Sequence, residues 1–295
     1  MKTVLLFGCD GFLGSRIFKS NIKDYDFIGT SRNISVRNGE KVVYFDANDL
    51  ESIDKILFLH KPSLVINCIA LTDVEECEHN HSKSRFINTV LPEYLASATS
   101  HLNIKFVHIS TDHFKSEYDN PRLEHERIEA INIYGKNKLE AEAAILRNNT
   151  NAIIIRTNFF GFEYGSKNSN LLSKIKSTIE SGYTFYGFND VYFSPISVAA
   201  LITAIFTLVK ENFTGIINVA SNESLSKLDF AKLVAQNLCC TEEIIQLSSI
   251  KNSNLTTARP HFLSLNNSLY KTITRENIAS INDMIKAELD LYKLK

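Results

Sequence analysis

Hydrophobic residues in the first half of the chain come in short unbroken runs separated by amphipathic stretches, the pattern of strands buried on both faces alternating with helices. Thr3-Val4-Leu5-Leu6-Phe7 is the first run, and an amphipathic stretch to Asn21 follows it. Further strands are predicted over residues 26–30, 42–46, 64–70, 104–109 and 152–158. Helices are predicted over 51–60, stopping before Pro62, over 84–103, with a bend or break at Pro92, and over 128–149. A polar loop spans 114–127. Alternation at these lengths implies right-handed β-α-β crossovers and a parallel sheet, so the predicted class is α/β, doubly wound. Beyond about residue 161 the alternation weakens. Helices are predicted there over 171–181, 198–210 and 227–238, a strand over 215–219, and short strands or loops over 182–193, 244–247 and 258–265. A charged helix starting near 278 closes the chain. The division read from this is a sheet domain over 1–160 and a smaller lobe over 161–295, with some late segments returning to the sheet domain.

The turn after the first strand adds chemistry. It reads Gly8-Cys9-Asp10-Gly11-Phe12-Leu13-Gly14 and opens a helix, the strand, glycine turn and helix context of a dinucleotide fingerprint. Gly8 permits the tight turn, Gly11 lets a pyrophosphate approach the backbone beside Phe12 and Leu13, and Gly14 lets helix and strand pack closely. The spacing is G-x-x-G-x-x-G, and a turn that only packs is the competing reading. After the second strand comes Ser31-Arg32, with no acidic residue to take a ribose 2′-hydroxyl; Arg32 could pair with a 2′-phosphate and Ser31 donate to it, which favours NADPH, with NADH as the alternative. Asp46, followed by Ala47, ends the third predicted strand as an acceptor for the adenine amino group. Ile69, Ala70 and Leu71 stand at the carboxyl end of the fourth, where ligands bind in such sheets. The architecture is then a Rossmann-type sheet carrying a smaller substrate-binding lobe.

Composition narrows the class without changing it. At 295 residues with 44% hydrophobic and 22% charged residues, the chain can bury a large core. A formal net charge of -1, with basic residues spread out, argues against nucleic acid or an anionic membrane as partner. No apolar run reaches the ~18 residues of a membrane span and the start of the chain lacks a secretory pattern, so a cytoplasmic location is expected. Five cysteines at irregular spacing read as free thiols, and Glu-Cys-Glu-His-Asn-His around Cys77, His79 and His81 reads as a solvated turn because no second ligand pair stands at zinc spacing. No metal site is expected.

Candidate catalytic groups lie in the predicted 128–149 helix. Tyr134 and Lys138 are four residues apart and share a face. A cation beside a phenol favours the phenolate and brings the hydroxyl toward use as an acid or base near neutrality. Ser110-Thr111-Asp112-His113 ends the fifth strand, and a hydroxyl there can orient a substrate carbonyl; such hydroxyls also end ordinary strands. The aromatic-rich stretch 183–193 and Arg259 could form a ligand pocket, with Arg259 gripping a diphosphate or serving as a structural surface residue.

With Ile66-Asn67-Cys68-Ile69-Ala70-Leu71-Thr72-Asp73, Ile109-Ser110-Thr111-Asp112, Tyr134-Gly135-Lys136-Asn137-Lys138, Ile155-Arg156-Thr157-Asn158 and Thr257-Ala258-Arg259-Pro260 in this order, the chain resembles the extended short-chain dehydrogenase/reductases, and more closely the dTDP-4-dehydrorhamnose reductase family. The resemblance implies that a 4-keto nucleotide sugar is reduced with NADPH or NADH. It implies Tyr134 as proton donor, Lys138 on the nicotinamide ribose, Thr111 on the keto oxygen, and Asp112 supporting the substrate. Some members bind magnesium at a dimer interface, which leaves Mg2+ and a homodimer open. Two departures fall at positions that the resemblance places toward the sugar. His113-Phe114-Lys115 stands where the family has Tyr-Val-Phe, and Phe159-Phe160, just after Asn158, replaces its usual tryptophan; the chain has no Trp. Two rival functions share the scaffold: an epimerase or dehydratase that retains its NAD, and a regulatory subunit that binds NADP without catalysis.

Overall fold

A computed structural model describes residues 1–33, 40–116, 120–162 and 170–293. Positions 117–119 of the predicted polar loop lie outside the described residues. The chain falls into two units: Met1–Ser110, Asn132–Ile155 and Leu208–Ile216 form the first, and Thr111–Ile131, Arg156–Thr207 and Ile217–Lys295 the second.

The first unit is built on the predicted sheet. Its strands are β1 (Lys2–Phe7), β2 (Tyr25–Ser31), β3 (Val42–Tyr44), β4 (Leu64–Asn67), β5 (Lys105–Ile109), β6 (Ile153–Arg156) and β7 (Gly215–Asn218), in the order β7-β6-β5-β4-β1-β2-β3. The pairs from β6 across to β3 are parallel. Val4 to Phe7, Leu64 to Ile66 and Ile153 to Ile155 are buried, as unbroken apolar runs require. The strand order reverses between β1 and β4, which makes their carboxyl ends the switch point where such sheets take ligands. Helices α1 (Phe12–Phe18) and α2 (Glu51–His60) flank it, and Leu5, Phe7, Ile28, Ile53, Leu57, Val65, Leu91, Leu95, Phe106, Ile145 and Ile154 share one core.

Three stretches of the first unit differ from the sequence reading. The stretch read as a solvated turn is α3 (Val74–His79), followed by α4 (His81–Arg85). Asp73 caps α3 by accepting from the Glu76 N–H at 3.1 Å, Asn80 caps α4 by accepting from the Lys83 N–H at 3.0 Å, and Cys77 is buried. The break at Pro92 is one π-turn, Phe86–Val90, before α5 (Leu91–His101). Proline has no N–H to return to Asn88, and the Leu91 N–H reaches back five residues to the Phe86 carbonyl. Helix α6 (Ile133–Asn148) starts later than the apolar periodicity suggested, because Asn132 caps it by accepting from the Gly135 N–H at 2.8 Å.

In the second unit, Lys115–Ser116 pairs antiparallel with Ile128–Glu129, the residues assigned to the helix by periodicity. Phe159–Phe160 runs parallel to Ile196–Ser197, Phe185–Phe188 parallel to Ile245–Ser248, and Tyr192–Phe193 antiparallel to Leu225–Ser226. Residues 258–265 make only isolated bridges, Tyr192 to Phe262 and Arg122 to Leu265. Helix α7 (Leu171–Glu180), α9 (Lys227–Asn237), α10 (Ser268–Thr274), which was not foreseen, and α11 (Ile281–Lys293) belong here; α8 (Val198–Lys210) runs from this unit into the first. Phe230 of α9 packs edge-on against Phe160 and Phe193, with centroids 5.1 and 5.5 Å away. None of the five cysteines is in a disulfide. Among the described residues, no helix is long and apolar enough to cross a membrane, and no group of His, Cys, Asp and Glu could hold a metal.

Candidate active site

In the first unit the chain leaves β1 at Gly8, whose φ of +87° is strained for any residue with a Cβ. The Gly11 N–H donates back to the Gly8 carbonyl at 3.1 Å and the Cys9 N–H to the Thr30 carbonyl at 3.3 Å, which fixes the loop against β2. A Cβ on Gly14 would stand 2.0 Å from the Gly8 oxygen, so helix and strand approach as closely as the sequence pattern implied. Gly11 is different: its Cβ would meet only the Gly8 oxygen, at an ordinary 3.5 Å. The protein's own packing leaves the space before Gly11 open. Close backbone approach of a pyrophosphate needs a residue without a side chain, and Gly11 could hold one on that ground. Phe12 and buried Leu13 continue the loop into α1.

At the end of β2 the buried Ser31 hydroxyl donates to the Asp10 carboxylate and accepts from the Asn33 N–H at 2.8 Å, while Arg32 is exposed. An acidic group thus does stand at this position, supplied by the glycine loop and not by the strand. Asp46 closes a local turn, accepting from the Asn48 N–H and side-chain amide at 2.9 Å each, with Ala47 half-buried beside it. Past β4, Asn88 of the π-turn accepts from the Leu71 N–H and donates to the Leu71 carbonyl, both at 2.9 Å. That pair of hydrogen bonds fixes the backbone of Leu71 at the end of the Ile69-Ala70-Leu71 stretch.

Tyr134 and Lys138 stand one turn apart on α6. The Tyr134 ring packs with Val74, Cys77, Leu71 and Ile133 and keeps 8% of its surface exposed. Lys138 is buried, and its Nζ lies 2.7 Å from the Ile109 carbonyl and 3.0 Å from His108 Nε2. Burial lowers its pKa to about 8, against the opposing pull of Glu142 and Cys68. The Glu142 carboxylate in turn accepts from Ser110 Oγ at 2.5 Å.

The remaining predicted residues belong to the second unit. Thr111 Oγ1 accepts from the His113 N–H at 3.2 Å, an arrangement that leaves the hydroxyl hydrogen to give. The buried Asp112 carboxylate accepts from the Asn158 amide at 2.8 Å; burial raises its pKa, while Lys227, that hydrogen bond and Arg122 oppose the rise. Burial, and then the positive charge of Arg259, Lys227 and Arg122, pushes His113 down to about 4, so its imidazole is neutral at physiological pH. Phe159 is half-buried at the start of its short strand. Two residues here went unnoticed in the sequence. Arg122, buried, donates to the backbone carbonyls of Asp112, at 2.7 Å, and Phe114, which sets the shape of the 112–114 turn. Lys227 lies with Nζ 3.5 Å over the Phe193 ring, and burial lowers its pKa to about 8 despite Asp112. A lysine opening an amphipathic helix gave no signal of this.

Residues 1–293 match the family described as RmlD substrate binding domain. The chain is 28% identical over 260 residues to the Haloferax volcanii protein named "Probable low-salt glycan biosynthesis reductase Agl14", covering 86% of each. A dTDP-4-dehydrorhamnose reductase structure from Bacillus anthracis in complex with NADP superposes with a TM-score of 0.87 at 21% identity, covering 98% of this chain and 99% of that one. A hypothetical dTDP-4-dehydrorhamnose reductase from Sulfolobus tokodaii does so with a TM-score of 0.81 at 27% identity, covering 96% and 98%.

Proposed function

The chain belongs to the RmlD substrate binding domain family, and on that premise we propose that it reduces a 4-keto nucleotide sugar to the 4-hydroxy sugar with NADPH or NADH, in deoxysugar or surface polysaccharide biosynthesis. The observation that carries the reading is Tyr134 and Lys138 one turn apart on α6, in the unit whose glycine loop leaves open backbone at Gly11. Gly8, Gly11, Gly14, Phe12, Leu13 and the Ile69–Leu71 stretch would hold the cofactor. A bound nicotinamide supplies the hydride. Thr111 gives its hydroxyl hydrogen to the keto oxygen and orients the carbonyl. As charge grows on that oxygen, Tyr134 protonates it, and the Lys138 ammonium stabilises the phenolate left behind. Asp112, held by Asn158, the neutral His113, and Phe159 would contact the sugar, and Arg259 the diphosphate.

Asp10 bears on cofactor choice. A carboxylate at the end of β2 accepts from a ribose 2′-hydroxyl and repels a 2′-phosphate, while Arg32 attracts one. The two side chains oppose each other, and both cofactors are expected to serve. Asp10→Asn should raise the NADPH-over-NADH ratio of kcat/KM by about tenfold, or about 1.4 kcal/mol. An unchanged ratio would separate Asp10 from cofactor selection.

The function itself is tested by following nicotinamide absorbance with a panel of 4-keto nucleotide sugars. Net oxidation with at least one of them is expected. Cofactor binding without oxidation by any would favour the regulatory reading.

A further inference from the structure

The amine of Lys138 is held by a chain of polar groups buried beneath the ends of β4 and β5, and the order of donors along that chain fixes where the protons sit. The Ile69 N–H, just past β4, donates to Asn67 Oδ1 at 3.0 Å. That bond commits the side-chain amide: Asn67 turns its Nδ2, which can only donate, toward His108 Nδ1 at 3.2 Å. His108 Nδ1 is therefore an acceptor. The ring is fully buried, and burial keeps it neutral, so its one proton is on Nε2. Nε2 lies 3.0 Å from Lys138 Nζ, and Nζ already donates to the Ile109 carbonyl at 2.7 Å. An ammonium has no lone pair to receive the imidazole N–H, and an amine has one. Only the amine satisfies every group in the chain.

We propose that His108 and Asn67 are positioning residues for Lys138, and that their hydrogen-bond order locks the Nε2–H imidazole and favours the uncharged amine. The inference deepens the reductase reading, in which Lys138 sets the acidity of Tyr134. The groups acting on the amine are His108 from β5, Cys68 from the segment after β4, and Glu142 from α6 itself, with Tyr134 one helical turn before it. Glu142 draws the amine toward the charged form, and burial draws it the other way; the Cys68 thiol, pushed up to about 12 by burial, is uncharged near neutrality and adds no pull there. With these opposed, the imidazole tautomer decides. The ammonium is the form that assists Tyr134, so assistance is present at low pH and lost as pH rises through the Lys138 pKa. The lock moves that loss into the neutral range.

Two substitutions reverse it by different means. In Asn67→Asp, one carboxylate oxygen keeps the Ile69 N–H and the other accepts from His108 Nδ1–H, which frees Nε2 to accept from the ammonium. His108→Gln offers an amide oxygen to the ammonium and adds no charge. The test is made by NMR on the ligand-free protein: long-range nitrogen–proton correlation reads the His108 tautomer, and the Lys138 Cε shift against pH, assigned by its loss in Lys138→Met, reads the amine. Expected are the Nε2–H tautomer and an amine titrating no higher than about 8 in the parent, with upward shifts of roughly one unit or more, tenfold in the proton equilibrium, in both variants. A Nδ1–H tautomer in the parent, or the same Lys138 midpoint in all forms that fold, would overturn the proposal; the parent tautomer decides the matter even if a variant is unstable. No turnover enters these readings, so failure of the reductase assignment would show separately, as inactivity with every sugar.

Discussion

Tyr134→Phe is expected to lower kcat by about a thousandfold while leaving cofactor affinity within a few fold of the parent, since a positioned general acid contributes ~10²–10⁴. The ring packs with Val74 and Cys77, and phenylalanine keeps that packing, so the loss comes from the hydroxyl alone. Fluorescence titration of NAD(P)H and steady-state kinetics separate the two quantities. Turnover unaltered in this variant would remove the phenol from the chemistry.

Gly14→Ala should be the most damaging small change in the first unit. Its methyl would stand 2.0 Å from the Gly8 carbonyl oxygen and 2.8 Å from the Gly8 carbonyl carbon, both backbone atoms that no rotamer can move. Forcing one methylene into packed structure costs ~1–3 kcal/mol and occasionally more, and at this contact a melting temperature lower by roughly 5–10 °C is expected, with cofactor binding lost. Gly11→Ala is the informative contrast. Its methyl meets only an ordinary 3.5 Å contact, so the protein should melt as the parent does while cofactor affinity falls by tenfold or more. Equal cofactor affinity in Gly11→Ala and the parent would mean that the glycine turn only packs.

Much of the first unit was legible because its signals are local. Unbroken apolar runs gave the central strands, and α2 begins and ends where periodicity and Pro62 placed it. Periodicity misled where a pairing came from elsewhere in the chain. Ile128 and Glu129 continue an apolar period into α6, yet they pair with Ser116 and Lys115, and Asn132 sets the true helix start. Helices α3 and α4 were hidden in a charged stretch too short to show a period, although Asp73 and Asn80 are ordinary capping residues that could have marked them.

The candidate site was legible where chemistry and spacing coincide, as in the pairing of Tyr134 with Lys138 on one helix and the spacing of the three glycines, and obscure where a residue acts through a partner distant in sequence. Asp10 lies 21 residues from the Ser31 hydroxyl it accepts from. Asn67 and His108 did leave a trace, since each directly follows a buried apolar pair in its strand, and buried polar groups need partners. Arg122 sat in a loop read simply as polar, where nothing local shows that its guanidinium is buried against the backbone at Asp112 and Phe114.

The central claim is that hydride passes from the nicotinamide to the keto carbon of a nucleotide sugar and stays in the product. Single turnover with cofactor carrying deuterium at the transferring C4 position, read by mass spectrometry and NMR of the sugar, tests it most directly. One deuterium bound to C4 of the product alcohol, with one oxidised cofactor formed per sugar, is the predicted result. A converted sugar with no deuterium at C4 and no net cofactor oxidised would instead mark an epimerase or dehydratase and contradict the account.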